Sequence, residues 1–137
     1  MRGSAGRGEA VLVGGIVDIT QRKEAEQEVE EAHRFLSAIV DSIPIPICIK
    51  DQDLRWIVAN RAMCDLLGHP AREIIGKQNA ALLSADTCDW FNGFEARILA
   101  GDELVTIEDH YVRPDGEVKN LQVSKRAIAL PDGKRYL

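Results

Sequence analysis

Apolar residues recur along the chain with more than one period. From residue 10 to 19 (AVLVGGIVDI) they run almost continuously and are rich in β-branched types. Only Gly14-Gly15 interrupts them, which predicts a strand with a bulge or a close backbone contact at the glycines. From Thr20 to about Ile43 the apolar positions are Ala25, Val29, Ala32, Leu36, Ile39 and Ile43, spaced 4-3-4-3-4. That spacing predicts a helix capped by Thr20. Its seam is of heptad type, with Val29, Leu36 and Ile43 at one inner position and Ala25, Ala32 and Ile39 at the other. Glu24, Glu26, Glu28, Glu30 and Glu31 lie off the seam, where water solvates them. The seam fits contact with a second helix, although an amphipathic helix lying on its own domain shows the same pattern over so short a run.

Pro44 and Pro46 end this helix. Ile47 to Lys50 and Trp56 to Ala59 read as short strands around the turn Asp51-Gln52-Asp53. Asn60 caps a short helix carrying Met63, Leu66 and Leu67, stopped by Gly68. His69-Pro70 opens another helical turn with Ile74 and Ile75, stopped by Gly76. Ser84 or Asp86 caps a longer helix to about Leu99, whose apolar members are Trp90, Phe91, Phe94 and Ile98. Two extended segments follow, Leu104 to Arg113 and Glu117 to Leu130, joined by the turn Pro114-Asp115-Gly116. Pro131-Asp132-Gly133 starts a further hairpin. Hairpins flanking a cluster of helices imply an α+β domain, an antiparallel sheet with helices on one face.

Composition narrows the function classes. The 137 residues suit one domain, and the 45% apolar fraction is that of a globular chain. The net charge of −5 is spread without a basic stripe, which argues against nucleic acid as a partner. No apolar run reaches the ~20 residues of a membrane span. The start, Met1 to Gly8, lacks the apolar stretch of a secretion signal, so residues 1–9 read as a flexible leader. Cys48, Cys64 and Cys88 are odd in number and widely spaced, which fits reduced thiols in a cytoplasm better than disulfides or zinc. His33, His69 and His110 share no metal-ligand spacing. No nucleophile elbow, kinase signature or metalloprotease helix is present. The expectation is a module without catalysis.

The stretch IPIPICIKDQDLRWIVANRAMCDLLGHPAREIIGK, Ile43 to Lys77, resembles the opening of the PAS family, with Asn60, Leu67-Gly68 and Ile75-Gly76 in the usual order. His110 to Leu137 resembles the family's closing hairpin. The resemblance implies a five-stranded antiparallel sheet with helices on one face, here preceded by the heptad-type helix. It also implies a sensory and signal-transfer role within a tandem-PAS signalling protein, such as a sensor histidine kinase or diguanylate cyclase.

PAS domains often end in a strand followed by Asp-Ile-Thr and a charged helix. Gly15-Ile16-Val17-Asp18-Ile19-Thr20 has that pattern near the N-terminus. Residues 10–20 are therefore expected to be the closing strand of a preceding PAS-like unit. Residues 21–43 would be a linker helix, and 44–137 a PAS domain lacking most of its own last strand. Residues 10–19 would then complete the sheet, most plausibly by exchange with a second molecule of a homodimer, and Asp18 with Thr20 would couple strand to helix.

The resemblance further implies a small ligand between sheet and helices, lined by Ile49, Val58, Asn60, Met63, Leu67, Ile75, Trp90, Phe91, Phe94, Leu121 and Val123. A filled core serving only dimerisation remains the alternative. The stretch from Gly76 to Leu83 lacks the Cys of light-sensing flavin relatives, and no His lies between Ser84 and Ala100 to ligate haem. Covalent flavin photochemistry and His-ligated haem are not expected, and the ligand stays unidentified. Cys88, near a helix start, reads as a small core residue before a reactive thiol.

Overall fold

The computed structural model describes residues 13–137, so the expected leader (1–9) and the start of the first expected strand (10–12) lie outside the described residues. The chain divides between Phe35 and Leu36 into two compact units. In the first, residues 13–19 form no strand and are exposed. Helix α1 (Thr20–Ser42) follows and crosses the unit boundary. Its start corrects the expected cap: Thr20 is itself the first helical residue. The capping group is the Asp18 carboxylate, whose Oδ1 accepts from Thr20 N at 2.9 Å and Thr20 Oγ1 at 2.6 Å. On the helix surface Arg22 reaches Glu26, and Arg34 reaches Glu30, one turn away. None of the α1 residues is fully buried.

The second unit opens with β1 (Cys48–Lys50), antiparallel to β2 (Trp56–Ala59). Asn60 then starts α2 (Arg61–Leu67), which Gly68 ends in the left-handed conformation, φ 74°. A single turn α3 (Ala71–Ile74) and a 3-10 turn (Asn79–Ala81) lead into α4 (Ala85–Ala100). Ser84 precedes α4 but gives it no side-chain cap, its hydroxyl lying instead 2.9 Å from Thr87 Oγ1.

The hairpin β3 (Val105–Val112) with β4 (Val118–Lys125) pairs over its whole length, from Val105↔Lys125 to Val112↔Val118. Alternation is strict, with Val105, Ile107, Asp109 and Tyr111 facing inward beside Lys119, Leu121, Val123 and Lys125. Two further short strands, β5 (Ile128–Ala129) and β6 (Arg135–Tyr136), close the chain.

The α+β class and antiparallel sheet are as expected, but the strands form three two-stranded ladders. The β3–β4 ladder ends at Val105↔Lys125, and beyond it β5 pairs with β6. β6 is tied to β1 by reciprocal bonds, Lys50 N to Leu137 O at 2.8 Å and Leu137 N to Lys50 O at 2.9 Å. The buried apolar centre is small: Trp56, Leu67 and Ile74, packed by Cys48, Ala59, Met63, Cys64, Leu82, Leu83 and Tyr111.

Candidate functional site

Antiparallel partners share a face, so Cys48↔Ala59 point one way and Ile49↔Val58 the other, and a bulge that leaves Ile57 unpaired returns Lys50↔Trp56 to the first face. The first face is the core face, since Cys48, Trp56 and Ala59 all pack there. Lys50 thus enters the interior and is 2% exposed. Its Nζ donates to Glu95 Oε1 at 2.6 Å, Glu95 Oε2 at 2.8 Å and Asn79 Oδ1 at 2.8 Å, and lies 4.4 Å from the centroid of Trp56.

Each partner is supplied by a different element. Glu95 sits on α4 four residues after Phe91 and three before Ile98, on the helix's inward stripe. Asn79 comes from the 3-10 turn after Gly76. Its Oδ1 also accepts from Trp56 Nε1 at 3.0 Å, and its Nδ2 donates to Glu95 Oε2 and Asn92 Oδ1, both at 3.1 Å. Lys125, at the inner end of β4, donates to Glu95 Oε1 and stands over the Phe91 ring, 4.8 Å from its centroid.

Burial alone would push the Glu95 carboxyl up, but Lys125 and Lys50 more than offset it and hold the group below the usual glutamate range. Burial drives the Lys50 ammonium down, and its share of Glu95 only partly opposes this. Burial also pushes the Cys48 thiol up, against the pull of both lysines.

The expected lining residues divide into several groups. Phe91, Phe94, Leu121 and Val123 are half-buried on the surfaces that meet at Lys125. Leu67 and Met63 belong to the apolar centre. Ile49 and Val58 are half-buried and share the face opposite Lys50. Ile75 and Trp90 are 42% and 48% exposed.

Asn60 is a structural clasp whose polar groups are all taken. Its Oδ1 accepts from Ile47 N and Met63 N, and its Nδ2 donates to the carbonyls of Val40, Ile43 and Ile45. On α1, Val29, Ala32, Leu36 and Ile39 are exposed, while Ile43 falls past the helix end and is half-buried. Cys88 is a buried core residue. Among the described residues no cluster of His, Cys, Asp or Glu could hold a metal.

Sequence reading missed Lys50, Trp56, Asn79, Glu95 and Lys125, although parity and helical spacing put each charged member at a core position. Two open surface depressions lie elsewhere. One is bordered by Cys64, Asp65, Gly68, His69, Pro70 and Arg113, and the other lies on the β3–β4 hairpin around His110 and Gln122. Neither gathers buried polar groups as the Lys50–Glu95 cluster does, so the cluster is the stronger candidate.

A family model described as the PAS fold matches residues 40–137. The uncharacterized protein y4lL of Sinorhizobium fredii is 31% identical over 96 residues, covering 70% of this chain and 12% of that protein. The virulence sensor protein BvgS of Bordetella pertussis is 34% identical over 59 residues, 43% of this chain and 5% of BvgS. The chain therefore spans a small part of these relatives. The solved PAS domain of BvgS superposes with a TM-score of 0.64 at 18% identity, covering 77% of this chain and 82% of that one. The PAS domain of an HTR-like protein from Haloarcula marismortui gives 0.61 at 23% identity, covering 83% and 93%. These likenesses below 25% identity speak to fold.

Proposed function

The chain belongs to the PAS family, whose domains are generally sensory, non-catalytic modules, and we propose that it senses a small ligand inside the domain and relays the outcome through α1. The observation that carries this reading is the Lys50–Glu95–Lys125 cluster between sheet and helices. A core that served packing alone gains nothing by burying three charges, since apolar residues of similar volume are as stable or more so. Buried polar groups beside half-buried apolar walls are what a small-molecule site presents.

A cytoplasmic setting fits the free thiols of Cys48, Cys64 and Cys88, and no described helix is long and apolar enough to cross a membrane. Asp18, bonded to Thr20 at the start of α1, is the proposed joint between the preceding segment and the helix. Mass spectrometry of a denatured extract of the purified protein tests the sensing reading. A co-purifying small molecule supports it. An empty protein that no small-molecule library shifts in Tm overturns it.

A second reading, a dimerisation module, has its own observations. Val29, Phe35, Leu36 and Ile39 are exposed along α1, and Val13, Ile16 and Val17 are exposed before it. Exposed apolar runs of this kind fit a partner surface, here a second copy exchanging residues 10–19 as a strand. β1 offers a place for it: Lys50 turns its backbone toward Leu137, and by alternation Cys48 presents its own N–H and C=O along the same edge. Light scattering on the purified protein decides, with a dimer expected and a monomer at all concentrations against it.

A further inference from the structure

The charges in the interior do not balance. Lys50 uses all three N–H donors on Glu95 and Asn79. Among the described residues Lys125 has one acceptor, Glu95 Oε1, which it shares with Lys50, and its side chain is only 13% exposed. Among the described residues no second carboxylate forms an ion pair with either ammonium. Cys48, the remaining titratable group that both lysines feel, keeps its proton because burial disfavours the thiolate. One positive charge is left over, with two unused donors, in a place largely withdrawn from water. Such a charge is costly to hold unpaired.

The surroundings of those donors are apolar and incompletely covered. Phe91 lies beneath the Lys125 ammonium, Phe94 is half-buried beside it in sequence, and Val123 and Leu121 share the inner face of β4 with Lys125. An anionic head with an apolar body matches both features. The excess is a single charge, and Glu95 would repel a dianion, so a carboxylate fits better than a phosphate.

We propose that this domain binds a small carboxylate with an apolar body, its head taking the two free donors of Lys125 and its body lying along Phe91, Val123 and Leu121. This rests on the sensing reading and names its ligand class. Hexanoate and benzoate serve as probes, with hexanamide and benzamide as neutral counterparts and sodium chloride holding ionic strength constant.

The carboxylates are expected to raise Tm and to bind in calorimetry, while the amides and chloride do neither. Lys125→Met should match or exceed wild type in Tm without ligand, because the unpaired charge is gone. It should bind the carboxylates roughly tenfold more weakly or worse, since both charge-assisted hydrogen bonds to the head are lost. Lys125→Gln, which keeps a donor without the charge, should lose binding likewise and serves if the methionine variant does not fold. Equal binding of amides and carboxylates, or undiminished carboxylate binding by both variants, overturns the charge argument and leaves ligand sensing standing. Failure of all probes on wild type overturns the proposed ligand class, and an empty extract in addition removes the sensing reading beneath it.

Discussion

Lys50 Nζ meets both carboxylate oxygens of Glu95, at 2.6 and 2.8 Å, across 45 positions of sequence. The contact joins β1 to α4 through the middle of the domain. Removing the carboxylate strands two ammoniums, so Glu95→Ala should cost ~3–5 kcal/mol, whereas Lys50→Ala leaves Glu95 its Lys125 partner and should cost less. Replacing all three together, Lys50→Met with Glu95→Leu and Lys125→Met, should recover most of the Glu95→Ala loss. Urea denaturation of the three variants checks both statements, and a triple variant as unstable as Glu95→Ala would show that the charges themselves are needed.

Asn60 holds five backbone groups around the entry to the domain, two donors and three acceptors. Its loss removes the cap of α2 and leaves partly buried groups unsatisfied. Asn60→Ala should destabilise by about 2–4 kcal/mol, above the ~1 kcal/mol of an ordinary cap. Asp retains the acceptor and loses the amide donor, so Asn60→Asp should fall between. Thermal unfolding gives the order.

Acid should act through Glu95. Its folded carboxyl titrates below the ordinary value of 4.5, so on acidification the unfolded chain takes the proton first. The stabilisation is fully present above about 4.5 and is lost as the pH falls through the lowered folded value. Glu95→Gln should be less stable at neutral pH and should show a flatter stability profile below 4.5 than wild type. Parallel acid limbs in the two proteins would show that Glu95 is not the titrating group.

The exposed side chains of α1 make a prediction about association. Val29 and Leu36 lie seven residues apart on one stripe of the helix, both in solvent. Replacing both with Glu should leave the 36–137 unit folded and shift any dimer toward monomer by at least tenfold in dissociation constant, since each buried apolar side chain contributes ~1.5–3 kcal/mol. Sedimentation equilibrium at several concentrations measures it.

Much of the fold was legible because its signals are local. Asn60, Gly68, Gly76 and the two Pro-Asp-Gly turns bracket elements within a few residues of where they occur. The cap of α1 is less legible, because Asp18 and Thr20 both have cap chemistry and only geometry shows which accepts.

The site was less legible. Apolar character marks the interior only in part: Ile49 and Val58 are half-buried, while Lys50, between Ile49 and the turn, is buried. Yet Lys50 shares parity with Cys48, Lys125 with Val123, and Glu95 follows Phe91 by one helical turn. Three charges at core positions on separate elements were readable one by one. That they meet across 45 and 30 positions was not, because pairing at such separations depends on the assembled fold.

The central claim is that the interior around Lys50, Glu95 and Lys125 receives a small molecule. Native mass spectrometry of wild type and Lys125→Met, purified side by side from cells, addresses it most directly. The account predicts a wild-type population heavier than the polypeptide by one small molecule, reduced or absent in the variant. A bare polypeptide mass in both proteins, with no adduct gained on adding carboxylate, would contradict it.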